Sequence, residues 1–241
     1  MVRTVRLMEV LASEPQSAPE LAARLGIHPR TARRLLHRLE DEGYVKSGWR
    51  GARHRYRMTM RLVALAAQIV ERAEWVNVVE PAISRLREAV GGVCYLAVPS
   101  HVSVLCLIRT AGDPDPGCHP HLRELAPSHC TAAGKALLAW RDPWRDAVLT
   151  QVLPALTDHT VTGPQWLERE LRRTVERGYS TEDRELDERT RGIGAPVFSA
   201  DGEAVAAVAV VAPCSLMPTE RYDEVARAVR GYADELKGTI P

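Results

Sequence analysis

The 241-residue sequence predicts an α+β protein in two parts, a small helical N-terminal domain closed by a β-hairpin and a larger C-terminal domain of strands flanked by helices. Three observations carry that reading. Helical periodicity with cap signals fills residues 1–42, a basic β pattern broken by glycine follows at 44–57, and two further hairpin signals lie beyond residue 90. The length exceeds one ordinary domain and is short for three, and the boundaries expected are 1–58, a connector at 59–74, and 75–241.

Val5, Leu7, Met8, Val10 and Leu11 give the first helix an apolar side, and Pro15 ends it. Ser17-Ala18-Pro19-Glu20 has capping-box spacing, in which the serine hydroxyl and the glutamate carboxylate each take an orphaned backbone N–H. Leu21, Ala22 and Leu25 form the stripe of that second helix, and Gly26 is placed to end it. Pro29 opens a third helix that runs to residue 42. At about 100° per residue, Ala32, Leu35, Leu36 and Leu39 share one side of it. Arg30, Arg33, Arg34 and His37 share the other, a cationic stripe with no acid interleaved.

Tyr44-Val45-Lys46 then leads through Gly48-Trp49-Arg50-Gly51-Ala52 to Arg53-His54-Arg55-Tyr56-Arg57, a basic hairpin with glycines at its turn. A capped helix, a short turn, a basic helix and a basic hairpin, in this order, read as a winged helix-turn-helix. Such a unit sets its second helix in the major groove of duplex DNA while flanking cations neutralise phosphates. Ser17, Arg30, Thr31, Arg33, Arg34, His37 and Arg38 are the helix candidates for that surface, and Arg50, Arg53 and Arg55 those of the wing.

Charge supports the division. The formal net charge of +1 conceals thirteen Lys and Arg against six Asp and Glu in residues 1–61, net +7, and nineteen against twenty-five in the rest, net −6. One end suits a polyanion and the other does not. No apolar run approaches the roughly 18 residues of a membrane span, and Met-Val-Arg-Thr-Val-Arg at the start is no signal sequence, so a cytoplasmic address is expected.

Residues 58–72 contain Met60, Leu62, Val63, Leu65, Ala66, Ile69 and Val70, too apolar all round for a free linker. A helix here that pairs with its copy would supply the two-fold symmetry that DNA half-sites mirror. After a helix at 76–89, the runs 93–98 and 102–108 read as strands around Pro99-Ser100-His101. Ala195-Pro196-Val197-Phe198 and 204–211 flank a second hairpin signal at Asp201-Gly202. A last helix at 219–237 spaces Tyr222, Val225, Ala226, Val229, Tyr232 and Leu236 to cover a sheet.

These residues resemble the IclR-type bacterial transcription regulators over nearly the whole chain. In the first domain the likeness rests on Leu21-Ala22-Ala23-Arg24-Leu25-Gly26, Thr31, Arg34-Leu35-Leu36, Leu39-Glu40-Asp41-Glu42-Gly43-Tyr44-Val45 and Tyr56-Arg57-Met58. In the second it rests on the segment from His129-Cys130-Thr131 to Ala139, on Gly178-Tyr179-Ser180 with Glu185, and on Gly192-Ile193-Gly194-Ala195-Pro196-Val197 through Val205-Ala206-Ala207-Val208. The resemblance implies a repressor, a homodimer or dimer of dimers, whose C-terminal domain is a GAF-like antiparallel sheet holding a small organic-acid effector.

In similar proteins the effector meets backbone amides where the Thr-Ala-x-Gly-Lys-Ala segment starts a helix, which places Ala132 and Ala133 at the site. Exposed N–H groups at the positive end of a helix dipole suit a carboxylate. The family's acidic position, usually Asp, falls on Glu182; a position often Cys falls on Gly192; two often Ser fall on Ala209 and Val211. Each change removes polarity or adds room, so a larger, partly apolar acid is expected, aromatic acids included. Tyr95, Cys106, Arg109 and Thr190 are expected to complete the walls.

Two other readings compete. Cys118-His119-Pro120-His121 with His129-Cys130 offers zinc-type ligands for a metal- or redox-sensing regulator, though the spacing fits no standard zinc pattern. The blander account is a loop histidine cluster and buried thiols. An enzyme is the other rival, but the segment containing Gly134-Lys135 fails as a phosphate loop. His129 stands where its first glycine must be and Ala136 where its hydroxyl residue must be. The acids Glu182, Asp183 and Glu185 read as a solvated turn, and no catalytic residue, metal ligand or cofactor is assigned.

Overall fold

The computed structural model describes residues 2–50, 53–110 and 125–240, which fall into two compact units, Met1–Glu74 and Trp75–Pro241. In the first unit, α1 (Val2–Ser13), α2 (Ala18–Leu25) and α3 (Pro29–Asp41) precede the hairpin of β1 (Val45–Arg50) and β2 (Arg53–Met58), and α4 (Arg61–Arg72) follows. Leu7 and Leu11 from α1, Leu21 from α2, Leu36 and Leu39 from α3, and Val45 and Tyr56 from the hairpin form its core. The capping box at Ser17 and Glu20 is complete, and Gly26 ends α2 at φ 61°, a conformation that a side chain would oppose. Gln16 exchanges both backbone hydrogen bonds with Tyr56, at 3.0 and 2.7 Å, so an isolated bridge at this one residue pair ties the α1–α2 connection to β2.

The second unit is built on one antiparallel sheet of β3 (Val93–Ser100), β4 (Ser103–Arg109), β5 (Leu125–Pro127), β6 (Ser180–Asp183), β7 (Thr190–Phe198) and β8 (Ala204–Pro213). The spatial order is β5-β4-β3-β8-β7-β6. Alternation along these strands divides the apolar residues between two faces. Cys94, Leu96, Ile193, Val197, Val208 and Val210 pack against α5 (Val76–Val90) and α9 (Tyr222–Glu235). Tyr95, Ala97, Cys106, Ala207, Ala209 and Val211 pack against α6 (Ala132–Trp140).

The expected hairpins and covering helices are present, with shifted ends. Strand β3 runs on through Pro99 and Ser100, and the turn falls at His101, whose φ is 54°. The last helix opens with a 3-10 turn at Thr219–Arg221 before α9 begins. Residues 140–177, where the sequence pattern predicts no element, hold α7 (Asp142–Leu149) and α8 (Pro164–Arg177). Leu167 and Leu171 of α8 and Val148 of α7 bury against Leu138 and Ala139, so α6 is sandwiched between the sheet and a second helical layer.

Candidate DNA-binding surface and effector site

Helix α3 begins where His28 Nδ1 accepts the Arg30 N–H at 3.2 Å. Its buried side is Ala32, Leu36 and Leu39. On the other side Arg30, Arg33, Arg34, His37 and Arg38 are exposed, and with His28 and Thr31 they line one open recess of about 680 Å³. Among the described residues, no side-chain hydrogen bond or ion pair engages Arg30, Arg33, Arg34 or Arg38. The stripe does end in an acid: Glu40 lies 3.9 Å from His37 Nδ1 and accepts the Ser47 N–H at 2.8 Å. The Ser47 hydroxyl first and its N–H second, with the nearby His37 and His54, hold the Glu40 carboxyl below its ordinary value.

The remaining candidates separate. Ser17 accepts the Glu20 N–H at 3.4 Å and keeps its own proton available. Arg55, expected on the wing's DNA-facing surface, is spent inside the unit: its guanidinium donates to the Pro15 carbonyl at 2.6 Å and to Glu20 at 3.3 Å. Those bonds tie β2 to the α1–α2 connection, so Arg55 leaves the interface set. The strand positions of Arg50 and Arg53 pair across the hairpin.

In the second unit the strand register assembles the effector candidates. Arg109, Tyr95, Ala209, Gly194 and Ser180 lie directly opposite one another across β4, β3, β8, β7 and β6. The next row is Val93, Val211, Gly192 and Glu182. Opposed residues share a face, and this face meets the start of α6. Thr190 is buried further along β7, and Cys106 opposes Ala97 on β4. Thr131 caps α6, its Oγ1 accepting the Gly134 N–H at 3.2 Å and donating to the Pro127 carbonyl at 2.8 Å.

Two glycines set how closely α6 sits. A Cβ on Gly194 would stand 2.7 Å from the Ala132 carbonyl oxygen, and one on Gly134 would stand 2.2 Å from the Ser128 carbonyl oxygen. Gly192 does not open free space as expected. A Cβ there would meet Ala132 Cβ at 3.1 Å and both Glu182 Oε2 and Val211 Cγ2 at 3.2 Å, so its neighbours have closed in.

Tyr95 has no exposed surface, yet its hydroxyl, beside the Ala133 N–H, completes no hydrogen bond among the described residues. Burial, with Cys106 and Glu182 nearby, pushes its pKa up. Glu182, 2% exposed, accepts the N–H groups of Glu185 at 2.7 Å and Leu186 at 3.3 Å through Oε1. Burial nevertheless raises its pKa to about 8, against the pull of Lys135. Lys135, 1% exposed, forms an ion pair with the buried Glu185. The acids expected to form a solvated turn are therefore largely inside. Asp183 alone of the three stays partly exposed, paired with Arg191 at 2.7 Å.

Ser180, Lys135 and Glu185 were not among the expected site residues. Ser180 donates to the Ala132 carbonyl at 2.6 Å and so pins the helix start that presents the amides. All three stand in the segments that carry the family likeness, which was the available signal.

Of the sensor alternative, Cys118, His119 and His121 lie outside the described residues. His129 Nε2 is 3.0 Å from the Pro154 carbonyl oxygen; a carbonyl only accepts, so this nitrogen carries the proton and cannot ligate a metal. Burial pushes the Cys130 thiol up to about 12, with Glu185 and Glu182 adding to it. Among the described residues, no three His, Cys, Asp or Glu side chains group to hold a metal ion.

Comparison with known proteins places this architecture. Residues 1–47 match the IclR helix-turn-helix domain, and residues 67–237 match the C-terminal domain of the bacterial transcriptional regulator IclR. A helix-turn-helix transcriptional regulator of Mycobacterium tuberculosis is 32% identical over 92% of this chain and 83% of its own. The acetate operon repressor of Salmonella typhimurium is 25% identical over 98% and 88%. An IclR homolog from Microbacterium hydrocarbonoxydans, solved with 4-hydroxybenzoate, superposes with a TM-score of 0.78 at 26% identity, covering 98% and 97%. With both domains matched in order, the chain belongs to the IclR family of DNA-binding transcriptional regulators, which are not enzymes.

Proposed function

We propose that this regulator is a repressor whose operator affinity is set by a carboxylic acid bound between α6 and the sheet, the acid being of benzoate size rather than a two- or three-carbon oxo-acid. The observation that carries the proposal is the fully buried Tyr95 hydroxyl, left without a hydrogen bond beside the Ala133 amide. A buried polar group of this kind costs stability unless a ligand meets it. A carboxylate at the N-terminus of α6 would accept from the Ala132 and Ala133 amides and from the Tyr95 hydroxyl. Glu182, protonated by burial, would then stand as a neutral neighbour, and Ala209 and Val211 would supply apolar wall. The related structure holding 4-hydroxybenzoate supports an aromatic acid.

Operator binding falls to Arg30, Thr31, Arg33, Arg34 and Arg38, with Ser17 and His37 beside them. A second copy is the proposed partner of α4, on which Val63 and Ile69 are exposed beyond half, as is the preceding Met60. Pairing there would give the two half-site geometry of an operator. An effector would act only through different affinities for the two dimer states.

The test is to select genomic fragments bound by the purified protein and titrate the best fragment with and without acetate, pyruvate, benzoate and 4-hydroxybenzoate. A change in fragment affinity with the aromatic acids, lost in Tyr95→Phe, is expected. Response to acetate or pyruvate alone would refute the proposed size class.

A further inference from the structure

We propose that Trp49, at the wing, is a DNA-contacting residue in its own right, packing its ring against the apolar sugar and base edges of the groove beside the one that α3 enters. The proposal rests on reading the first unit as the duplex-binding unit. Trp49 is 75% exposed, the most exposed aromatic residue among those described. Large rings are seldom left so bare without a partner.

The hairpin has two unlike faces. Lys46 opposes Arg57 and Gly48 opposes Arg55 on one of them. On the other, Val45, Ser47 and Trp49 oppose Met58, Tyr56 and His54. The second face starts in the core, where Val45 and Tyr56 are buried, and runs outward to Trp49. Its rings are braced edge-on, Tyr56 to His54 with centroids 5.1 Å apart and His54 to Trp49 at 5.3 Å. A braced ring has little conformational freedom left to lose on binding.

This face is also continuous with the cationic side of α3. Glu40, on α3, accepts the Ser47 N–H at 2.8 Å and lies 3.9 Å from His37 Nδ1, so it joins the hairpin face to the exposed side of α3. A partner lying along α3 therefore meets free cations and, at the hairpin end of the same surface, a fixed apolar ring. Duplex DNA presents that pairing of anionic phosphates with apolar sugar and base edges, and apolar side chains recur where proteins enter the minor groove.

The proposal separates from a purely electrostatic wing by salt dependence. A cation that neutralises a phosphate contributes about 0.9 to the slope of log affinity against log salt, whereas an apolar contact contributes nothing to it. The experiment titrates a fluorescent 30-base-pair mixed-sequence duplex with the full-length protein, Trp49→Ala, Trp49→Phe and Arg34→Ala at several salt concentrations. Trp49→Ala is expected to weaken binding by about fivefold or more at every salt concentration with an unchanged slope. Trp49→Phe should restore most of that loss, and Arg34→Ala should make the slope shallower.

Unchanged affinity in Trp49→Ala, or a loss accompanied by a shallower slope, would overturn the proposal while leaving the DNA-binding reading intact. Failure of the unmodified protein to bind the duplex would overturn both. Trp49 is the one tryptophan of the first unit, the others being Trp75, Trp140, Trp144 and Trp166. A duplex-induced fluorescence change lost in Trp49→Phe is the second expected readout, and a change retained in that variant counts against the contact.

Discussion

Gly192 and Glu182 face each other across β7 and β6, and a Cβ on the glycine would stand 3.2 Å from Glu182 Oε2. Two residues along β7, a Cβ on Gly194 would stand 2.7 Å from the Ala132 carbonyl oxygen, which is backbone and cannot swing aside. The two glycines should therefore respond differently to one added methyl group. Gly194→Ala is expected to force α6 off the sheet and cost about 2 kcal/mol or more, lowering the melting temperature by several degrees. Gly192→Ala should cost under about 1 kcal/mol. Its larger effect should fall on binding of aromatic acids, measured by calorimetry.

Glu182 predicts a pH dependence of stability. Its folded pKa, raised to about 8 by burial, lies above the ordinary carboxylate value of 4.5. Between those values the folded state holds a proton that the unfolded state has lost, so stability falls as pH rises through this window. The cost is complete above pH 8 and absent below about 4.5. Thermal melts from pH 5 to 9 should show this decline, and Glu182→Gln should flatten it. The anion of an acid effector should also bind more weakly above pH 8, where Glu182 gains a negative charge.

The buried pair of Lys135 and Glu185 should be costly to break singly. Lys135→Met leaves Glu185 buried and uncompensated beside Glu182, at roughly 3–5 kcal/mol. Replacing both, as Lys135→Met with Glu185→Leu, should recover much of that loss in denaturant titrations. If the single and double replacements cost the same, the pair is not coupled as described.

Arg55 and Arg33 are both wing-side or helix arginines in sequence, but they should behave oppositely. Arg55 bonds the Pro15 carbonyl and Glu20. Arg55→Ala should therefore destabilise the first unit by about 1.5–3 kcal/mol and leave the salt slope of duplex binding unchanged. Arg33→Ala should do the reverse.

That contrast shows where the sequence stops being legible. Periodicity places Arg30, Arg33 and Arg34 on one side of α3 because the information is local, spanning one turn of helix. The fate of Arg55 depends on a carbonyl forty residues earlier, which no local pattern encodes. The same division holds in the second unit. Alternation and turn residues locate β3, β4, β7 and β8, yet the row joining Arg109, Tyr95, Ala209, Gly194 and Ser180 exists only through long-range register. The acids at 182–185 look like a solvated turn until β6 pairs with β7 and carries Glu182 beneath α6. Gly163-Pro164 and Gly178 bracket α8, with Leu167 and Leu171 at helical spacing, so that helix was readable in principle.

In the proposed operator complex, Arg30, Arg33 and Arg34 of α3 each neutralise a phosphate. This is tested most directly by measuring duplex affinity against salt for the unmodified protein and for a variant carrying Arg30→Ala, Arg33→Ala and Arg34→Ala. Affinity should fall steeply with salt in the first, and the slope should be shallower by up to about 2.7 in the second. Salt-insensitive binding, or the same slope in both proteins, would contradict it.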